Sequence, residues 1–589
     1  MRTRVGLILL ALTTMLFTSC GGPDTDNDSD TGGASAAGNP STGAAANQNN
    51  TTTESALLTE VTEQLGLTFV HEPMTEEYFF MPEMTAPGCA IFDYDNDGDL
   101  DIYLVNSALG PDSPATGRPV NRLFSQNDAG TFDDVTDESG LGDESYGIGI
   151  ALGDFDNDGD LDVYLTNLHR DRLYRNNGDG TFTDVTDSAG ITNDHWSCSA
   201  AFLDYNRDGF LDLYVVNYVA VTPETICSDA SGLQEFCGPQ VFPGITDVLY
   251  HNNGNGTFTD VTETTGISAK TGKGLGIVCR DFDHNGWIDV YVANDGEPNQ
   301  LWLNTEGRFD DVAFEMGAAV NEYGEPEASM GLAVGDVDND GDEDVFMTHL
   351  ASETNTLYAN DGHAIFSDAT ARSNLATTST PFTGFGTCFV DIDHDRDLDL
   401  LIVNGRVKRG ATPYPGGTCG EFWNGYAEPN QFFLNRGRGR FEDATDRTGS
   451  FGREIEVSRG MAWGDIDRDG DIDFLITNCK GPARLYRNDA PRDKHWLIIR
   501  AIDPDLNRDA FGAQVSITTA SGTLIRTVHA DGSYASSSDP SVHFGLGGDD
   551  HLEQLSITWP DGMVEHYGEV QQVDRYIVVH KGVAEVSDG

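Results

Sequence analysis

The sequence predicts an all-β fold: a seven-bladed β-propeller with calcium loops, closed by an N-terminal strand and followed by a small C-terminal β-sandwich-like domain. Three observations predict it. A nine-residue acidic loop occurs seven times, with starts 50 to 77 residues apart. Each copy sits between a Gly-rich apolar run and an alternating apolar run, and a hairpin-like segment follows it. A four-stranded unit repeated at this period marks a propeller rather than a sandwich.

The loops come first in the argument because they carry the chemistry. The candidate oxygen ligands are Asp93, Asp95, Asp97, Asp99 and Asp101 in loop one, and Asp154, Asp156, Asp158, Asp160 and Asp162 in loop two. Loop three offers Asp204, Asn206, Asp208 and Asp212, and loop four Asp281, Asp283, Asn285 and Asp289. Loop five offers Asp336, Asp338, Asp340, Asp342 and Asp344, and loop six Asp391, Asp393, Asp395, Asp397 and Asp399. Loop seven offers Asp465, Asp467, Asp469, Asp471 and Asp473. Side-chain oxygens at positions 1, 3, 5 and 9, a backbone carbonyl at 7 and a glycine at 6 make a cage for a hard cation. A single Asp-Gly pair is only a hairpin signal. Seven copies with three to six carboxylates apiece are electrostatically unfavourable without cations among them, so up to seven calcium ions are expected. Position 12 carries Leu104, Leu165, Val215, Val292, Met347, Ile402 and Ile476, never Glu, which excludes an EF-hand.

The flanks give the strands. GIGIALGD before Asp154 and LDVYLTN after it alternate with period two and are rich in β-branched and aromatic residues. RLYRNNGDGTFTDVT, from Arg172 to Thr186, is a hairpin around an Asn-Gly-Asp-Gly turn, which completes four strands. The fourth-strand sequence (FDDVT, FTDVT and relatives) follows loops one to six but is missing after loop seven. LTEVTEQLGL, from Leu58, matches TDVTDSAGI, so the N-terminal segment is expected to supply the outer strand of the last blade and to leave no open edge.

With these motifs in view, the loops and flanks resemble the FG-GAP/VCBS repeats of integrin α-subunit propellers. From Leu58 onward the chain is similar to the cartilage-acidic-protein type. The tail segments NRDAFGAQVSI, GSYASSSDPSVHFGLG and LEQLSITWPDGMVEHY resemble the ASPIC/UnbV domain. The resemblance implies architecture and calcium, and little about activity.

Residues 1–20 read as a signal: Arg2 and Arg4, then an apolar stretch from Val5 to Phe17 too short to span a bilayer. Thr18-Ser19-Cys20-Gly21 looks like a bacterial lipobox, making Cys20 the expected lipidation site. Phe17 departs from the usual Leu, which leaves ordinary cleavage open. Residues 21–54 have almost nothing to bury and read as a flexible tether. The propeller is then expected over 55–491 and the second domain over 492–589. This predicts an exported protein, lipid-anchored at the bacterial envelope (the outer membrane first) or extracellular.

Ninety-seven acidic against 34 basic residues give a net charge of −63. Only about a third of the acids lie in the loops. Such a surface repels nucleic acid and anionic membranes, so contact with a membrane is expected only through the lipid anchor. Eight cysteines remain besides Cys20, an even number in an exported chain. Cys227 and Cys237, in one insertion, are the expected disulfide. Cys89, Cys198, Cys279 and Cys388 precede metal loops and read equally as buried core residues or as cross-links.

Three long connections leave the face opposite the loops: 107–122, 218–248 and 405–431. They carry Phe236, Phe242, Tyr414, Phe422, Trp423 and Tyr426, with Arg406, Lys408 and Arg409 as a small basic cluster. Aromatic and basic residues on loops held by a rigid scaffold suit recognition, although each could equally pack its insertion onto a blade. Two functions remain open. One is a calcium-stabilised, surface-anchored module, monomeric, that binds a protein or glycan. The other is a secreted hydrolase or oxidoreductase, or a subunit of one. No GxSxG, HExxH or Cys-His arrangement is present, and His195, Trp196 and His349 stand alone, so no catalytic residue is assigned and binding is favoured.

Overall fold

A computed structural model describes residues 56–73, 79–107, 120–222, 225–410, 413–584 and 586–589. The signal, Cys20 and the tether lie outside the described residues, as does most of the first long connection. The described residues form one compact unit.

Each acidic loop joins the first two strands of a four-stranded antiparallel sheet. In the second sheet these strands are Gly147–Gly153, Asp162–Asn167, Arg172–Asn176 and Phe182–Asp184, hydrogen-bonded in chain order. Five other sheets repeat this order. The seventh combines Ser458–Gly464, Asp473–Asn478 and Arg484–Asn488 with Leu58–Glu60 from the other end of the chain. Leu58 lies opposite Asn488 and Glu60 opposite Tyr486. The pairing continues beyond the strand: Val61 N donates to Leu485 O at 2.9 Å, and Leu485 N to Thr62 Oγ1 at 2.8 Å.

The first strands pack against one another in chain order, and Ser458–Gly464 packs against Cys89–Phe92. First and second strands are buried at nearly every position because sheets lie on both their faces, whereas fourth strands such as Phe182–Asp184 bury only their Phe. Cys89, Cys198, Cys279 and Cys388 are all buried in the first strands as free thiols. The core reading, not cross-linking, therefore holds for these four.

After the ring come two sheets. One joins Arg508–Asp509, His495–Asp503, Arg575–His580 and Ser587–Asp588, with Val542–Gly547 also pairing His495–Asp503. The other joins Gly522–Thr527, Gln514–Thr519, Leu552–Thr558 and Val564–Val570. Their apolar faces share a core around Phe544, Ile517 and Trp559, and that core is continuous with the first three sheets of the ring through Phe155 and Tyr94.

The expected boundary at 491/492 separates segments of sequence rather than free-standing bodies. Residues 529–541 run among the first strands of the ring. Ser537 N donates to Cys89 O at 3.0 Å, Ile150 N to Ala535 O at 3.2 Å, and Leu332 N to Ser533 O at 2.9 Å. Asp531 accepts from Cys279 N at 2.8 Å and pairs with the buried Arg280 at 2.7 Å. Tyr534 is fully buried and meets Phe385 edge-on, with ring centres 4.9 Å apart.

On the face opposite the loops, the second and third insertions meet each other. Phe236 packs against Phe422, Trp423 and Tyr426, with Phe79 and Met84 beside them. Tyr426 donates its hydroxyl to Glu235 at 2.5 Å. Cys227 and Cys237 form a disulfide within the second insertion. Of the two readings of these aromatics, packing holds for Phe236, Trp423 and Tyr426, buried where rings from two insertions cover one another, and for Phe242, buried in a separate cluster with Trp196 and Tyr218. Phe422 and Tyr414 are half-buried.

Candidate metal centres

The seven loops share one hydrogen-bond scheme. The position-1 carboxylate accepts from the backbone N–H of position 6, as from Gly159 to Asp154 at 2.8 Å, and in six loops also from position 5. The position-5 side chain accepts from the N–H of position 7, as from Asp160 to Asp158 at 3.1 Å. The position-9 carboxylate accepts from position 2 and from the third strand; Asp162, for example, takes Phe155 N and Asn176 N. Glycine at position 6 adopts φ values from 87° to 101° in six loops, and Arg396 adopts 85° in loop six, which favours glycine over any residue with a Cβ.

This scheme converges carboxylates. Ligand oxygens of Asp93, Asp95 and Asp101 lie within 4.8 Å of one another, as do those of Asp154, Asp156 and Asp162, and of Asp281, Asp283 and Asp289. The same holds for Asp336, Asp338 and Asp340, and for Asp391, Asp393 and Asp399. One oxygen each of Asp156, Asp281 and Asp338 is buried with no partner among the described residues. Crowded oxygens with unspent lone pairs fit a divalent cation. Burial, reinforced by neighbouring carboxylates, pushes Asp101 and Asp391 up to about 8 and Asp154 and Asp336 to about 7. Without a cation, such sites bind protons instead.

Position 7 behaves differently from the other positions. Asn96, at position 4 of loop one, donates to Asp160 of loop two at 2.5 Å. His284 meets Asp342 at 3.1 Å, Asn339 donates to Asp397 at 2.8 Å, and His394 lies 3.2 Å from Asp471. Where position 7 is not acidic, position 4 still reaches the next loop: Asn157 donates to Gly209 O, and Arg207 lies over Trp287, 4.8 Å from the ring centre. Arg468 of loop seven donates to Gly98 O of loop one at 2.6 Å. The side chains of Asp160, Asp342, Asp397 and Asp471 therefore turn to the adjacent loop, which leaves the position-7 carbonyl for a metal.

Basic groups divide the loops further. Lys494 Nζ lies 2.9 Å from Asp393 and 3.8 Å from Asp395 in loop six. Arg492 pairs with Asp469 and Asp471 in loop seven. His251 lies 3.1 Å from Asp212 in loop three. Arg396, which stands where the other six loops have glycine, turns its guanidinium out of loop six, donating to Thr519 Oγ1 at 2.8 Å and to Gly522 O. Tyr576 donates its hydroxyl to Asp465 at 2.6 Å, so the C-terminal sheets touch a cage directly. The sequence reading missed Lys494, Arg492 and Tyr576, all of which lie beyond the repeat. Of the lone residues, Trp196 is buried against Tyr218, His349 is buried between Ser329 Oγ and Thr354 O, and His195 is exposed.

Residues 93–165, 154–215, 245–292, 281–347 and 336–402 match the FG-GAP-like repeat family, and 503–586 match the ASPIC and UnbV family. The chain is thus a propeller-type protein of FG-GAP-like repeats followed by an ASPIC/UnbV domain. It is homologous to cartilage acidic protein 1. It is 25% identical over 359 residues to the Xenopus tropicalis protein, covering 59% of this chain and 42% of that one. To the human protein it is 24% identical over 357 residues, covering 58% and 40%. The chain matches about two-fifths of the length of these curated relatives. Solved structures similar to it include an Agrocybe aegerita lectin recognising non-reducing terminal N-acetylglucosamine (15% identity, 66% of this chain and 85% of that one, TM-score 0.35). Another is YCF48 from Cyanidioschyzon merolae (10% identity, 69% and 97%, TM-score 0.37).

Proposed function

We propose that the chain is a calcium-stabilised binding or adhesion module, exported, carried on a lipid anchor at Cys20 and recognising a protein or glycan as a monomer. The observation that carries this reading is the repeated convergence of three carboxylates within 4.8 Å on a ring scaffold. Repeat propellers of this kind present a rigid surface, and the cations hold its loops rather than perform chemistry.

Calcium would be held by positions 1, 3, 5 and 9 and the position-7 carbonyl; when bound, it supplies charge neutralisation and loop rigidity. The enzyme alternative gains no support from the thiols, since burial pushes Cys89 up to about 12 and holds the other first-strand thiols protonated as well. Export follows from the N-terminal sequence alone. Labelling with palmitate, compared between the native chain and Cys20→Ala, tests the anchor. A protein and glycan array probed with residues 55–589, with and without calcium, tests recognition: calcium-dependent capture by one ligand class supports the reading, and a blank array with calcium contradicts it.

A further inference from the structure

Between the fifth and sixth sheets, beside loop five, an open groove is lined by Arg372, Arg438 and Arg440. The turn that supplies two of them joins Gln431–Asn435 to Phe441–Asp443 and reads NRGRGRF from Asn435. The same turn reads NNGDGTF from Asn176 and NNGNGTF from Asn252, so arginine here replaces the Asp or Asn and the Thr of those copies. Gly439 N donates to Val337 O at 2.9 Å and Asn435 Nδ2 to the same oxygen at 2.8 Å, which fixes the turn against loop five. Arg372 comes from the fifth sheet, just past its fourth strand, Phe366–Asp368. Arg436, the remaining arginine of the turn, is paired with Glu442 at 2.7 Å. Arg372, Arg438 and Arg440 are exposed and form no ion pair among the described residues. In a chain of 97 acidic and 34 basic residues, three unpaired guanidiniums in one groove run against the charge of the whole molecule. Each offers a planar fork of donors that matches an oxyanion.

We propose that this groove binds the carboxylate or sulfate groups of an acidic saccharide, with Arg372, Arg438 and Arg440 as the residues that hold them. The proposal rests on the binding reading above and gives it a site and a ligand class. Two features favour a saccharide over an acidic peptide. The strand edge beside the groove is closed: Phe441 N donates to Ser373 O at 3.0 Å and Asn374 Nδ2 to Phe441 O at 3.4 Å, so a peptide cannot add to the sheet there. The apolar lining, Val337, Leu357 and Ala369, is buried, so no pocket opens for an apolar anchor side chain. Asp338 and Asp344 of loop five also line the groove. These carboxylates and the net charge of −63 repel a polymer of contiguous charge such as nucleic acid. A saccharide carries its anionic groups apart, with neutral rings between them.

Isothermal titration of the calcium-loaded chain tests the proposal with five probes: a tetrasaccharide of alternating glucuronate and neutral sugars, its uncharged methyl ester, a sulfated tetrasaccharide, inorganic sulfate, and acetyl-Glu-Gly-Gly-Glu-amide. At least one acidic tetrasaccharide should bind ~10-fold or more tightly than the ester, the scale of one charge-assisted hydrogen bond. Arg438→Asn combined with Arg440→Thr restores the residues of the turn at Asn252, and asparagine tolerates the φ of 58° at position 438. This double variant should lose the preference. Arg372→Ser, on the neighbouring sheet, should weaken binding about 3-fold, whereas Arg436→Asn should leave it within about 2-fold. No binding of either acidic tetrasaccharide, equal binding of the ester, or an unchanged preference in the double variant overturns the proposal. The peptide or inorganic sulfate binding as tightly as the tetrasaccharide overturns the saccharide, in favour of an acidic protein or a free anion. Should the double variant not fold, an unchanged affinity in Arg372→Ser overturns it. Array capture of a ligand insensitive to these arginines removes this site and leaves the binding reading standing, whereas a blank array removes both.

Discussion

Each cage is set by single side chains whose hydrogen bonds are fixed before any ion arrives, and this ranks the seven loops. Among the described residues, no basic side chain pairs with positions 1, 3, 5 or 9 of loops one, two, four and five. Loops three, six and seven hold His251, Lys494 and Arg492 there. A nitrogen group already seated against a cage carboxylate must be displaced by the metal, so these three loops should bind calcium more weakly. Lys494→Met should raise occupancy of loop six, read from anomalous density; occupancy equal to that of the native chain would contradict the ranking. Arg396 is the basic residue inside the loop-six motif, but its guanidinium reaches the C-terminal sheets. What the nine-letter motif cannot show is any residue brought in from outside it.

pH dependence belongs to this scale too. Asp101, Asp154, Asp336 and Asp391 titrate near 7 to 8 in the folded chain against a model-peptide value of 3.8, chiefly because they are buried. In chelator, these groups keep protons that the unfolded chain releases. That stabilisation is complete below about pH 4 and is lost as pH rises through 7 to 8. Calcium replaces the protons, so the calcium-induced rise in melting temperature should grow from pH 5.5 to pH 8. A rise independent of pH would mean the cages are already ionised.

Among the elements, residues 529–541 explain a feature of the repeats that the loops do not. Some of the glycines in and beside the first strands stand where this segment's backbone comes too close for a side chain, while others, such as Gly153 against Phe202 and Gly276 against Met330 O, abut neighbouring strands of the ring. A Cβ on Gly88 would lie 1.8 Å from Ala535 O, and one on Gly149 would lie 2.7 Å from it. The Gly-rich runs were legible in the sequence as strands, but their reason was not, since the contact spans more than 380 residues. Asp531→Asn leaves the buried Arg280 with only the more distant Glu343, 3.7 Å away, as counter-charge and should cost about 3 kcal/mol. Tyr534→Ala removes a fully buried ring and should cost at least ~3 kcal/mol. Denaturant titration measures both, and losses under ~1 kcal/mol would mean the segment is not anchored in the ring.

In the whole molecule, the repeat period, the missing fourth strand after loop seven and the matching LTEVTEQLGL segment made the architecture readable, because register in a half-buried strand is fixed by its apolar pattern. The docking of the C-terminal sheets and the mutual burial of the insertions were not readable, because neither follows a period. Pairing of Leu58–Glu60 with Arg484–Asn488 ties the two ends of the ring. A chain starting at residue 55 should stay monomeric, whereas one starting at residue 68 should expose the Arg484–Asn488 edge and aggregate. Sedimentation velocity distinguishes the two, and a stable monomer starting at 68 would contradict this account.

The most direct measurement is the calorimetric melting of residues 55–589 in calcium and in excess chelator at pH 7.5. At ten times Kd, each occupied site contributes about 1.4 kcal/mol, so several sites together should shift the transition upward by many degrees. Superimposable melting curves in calcium and in chelator would contradict the claim that the carboxylate ring is a set of calcium sites.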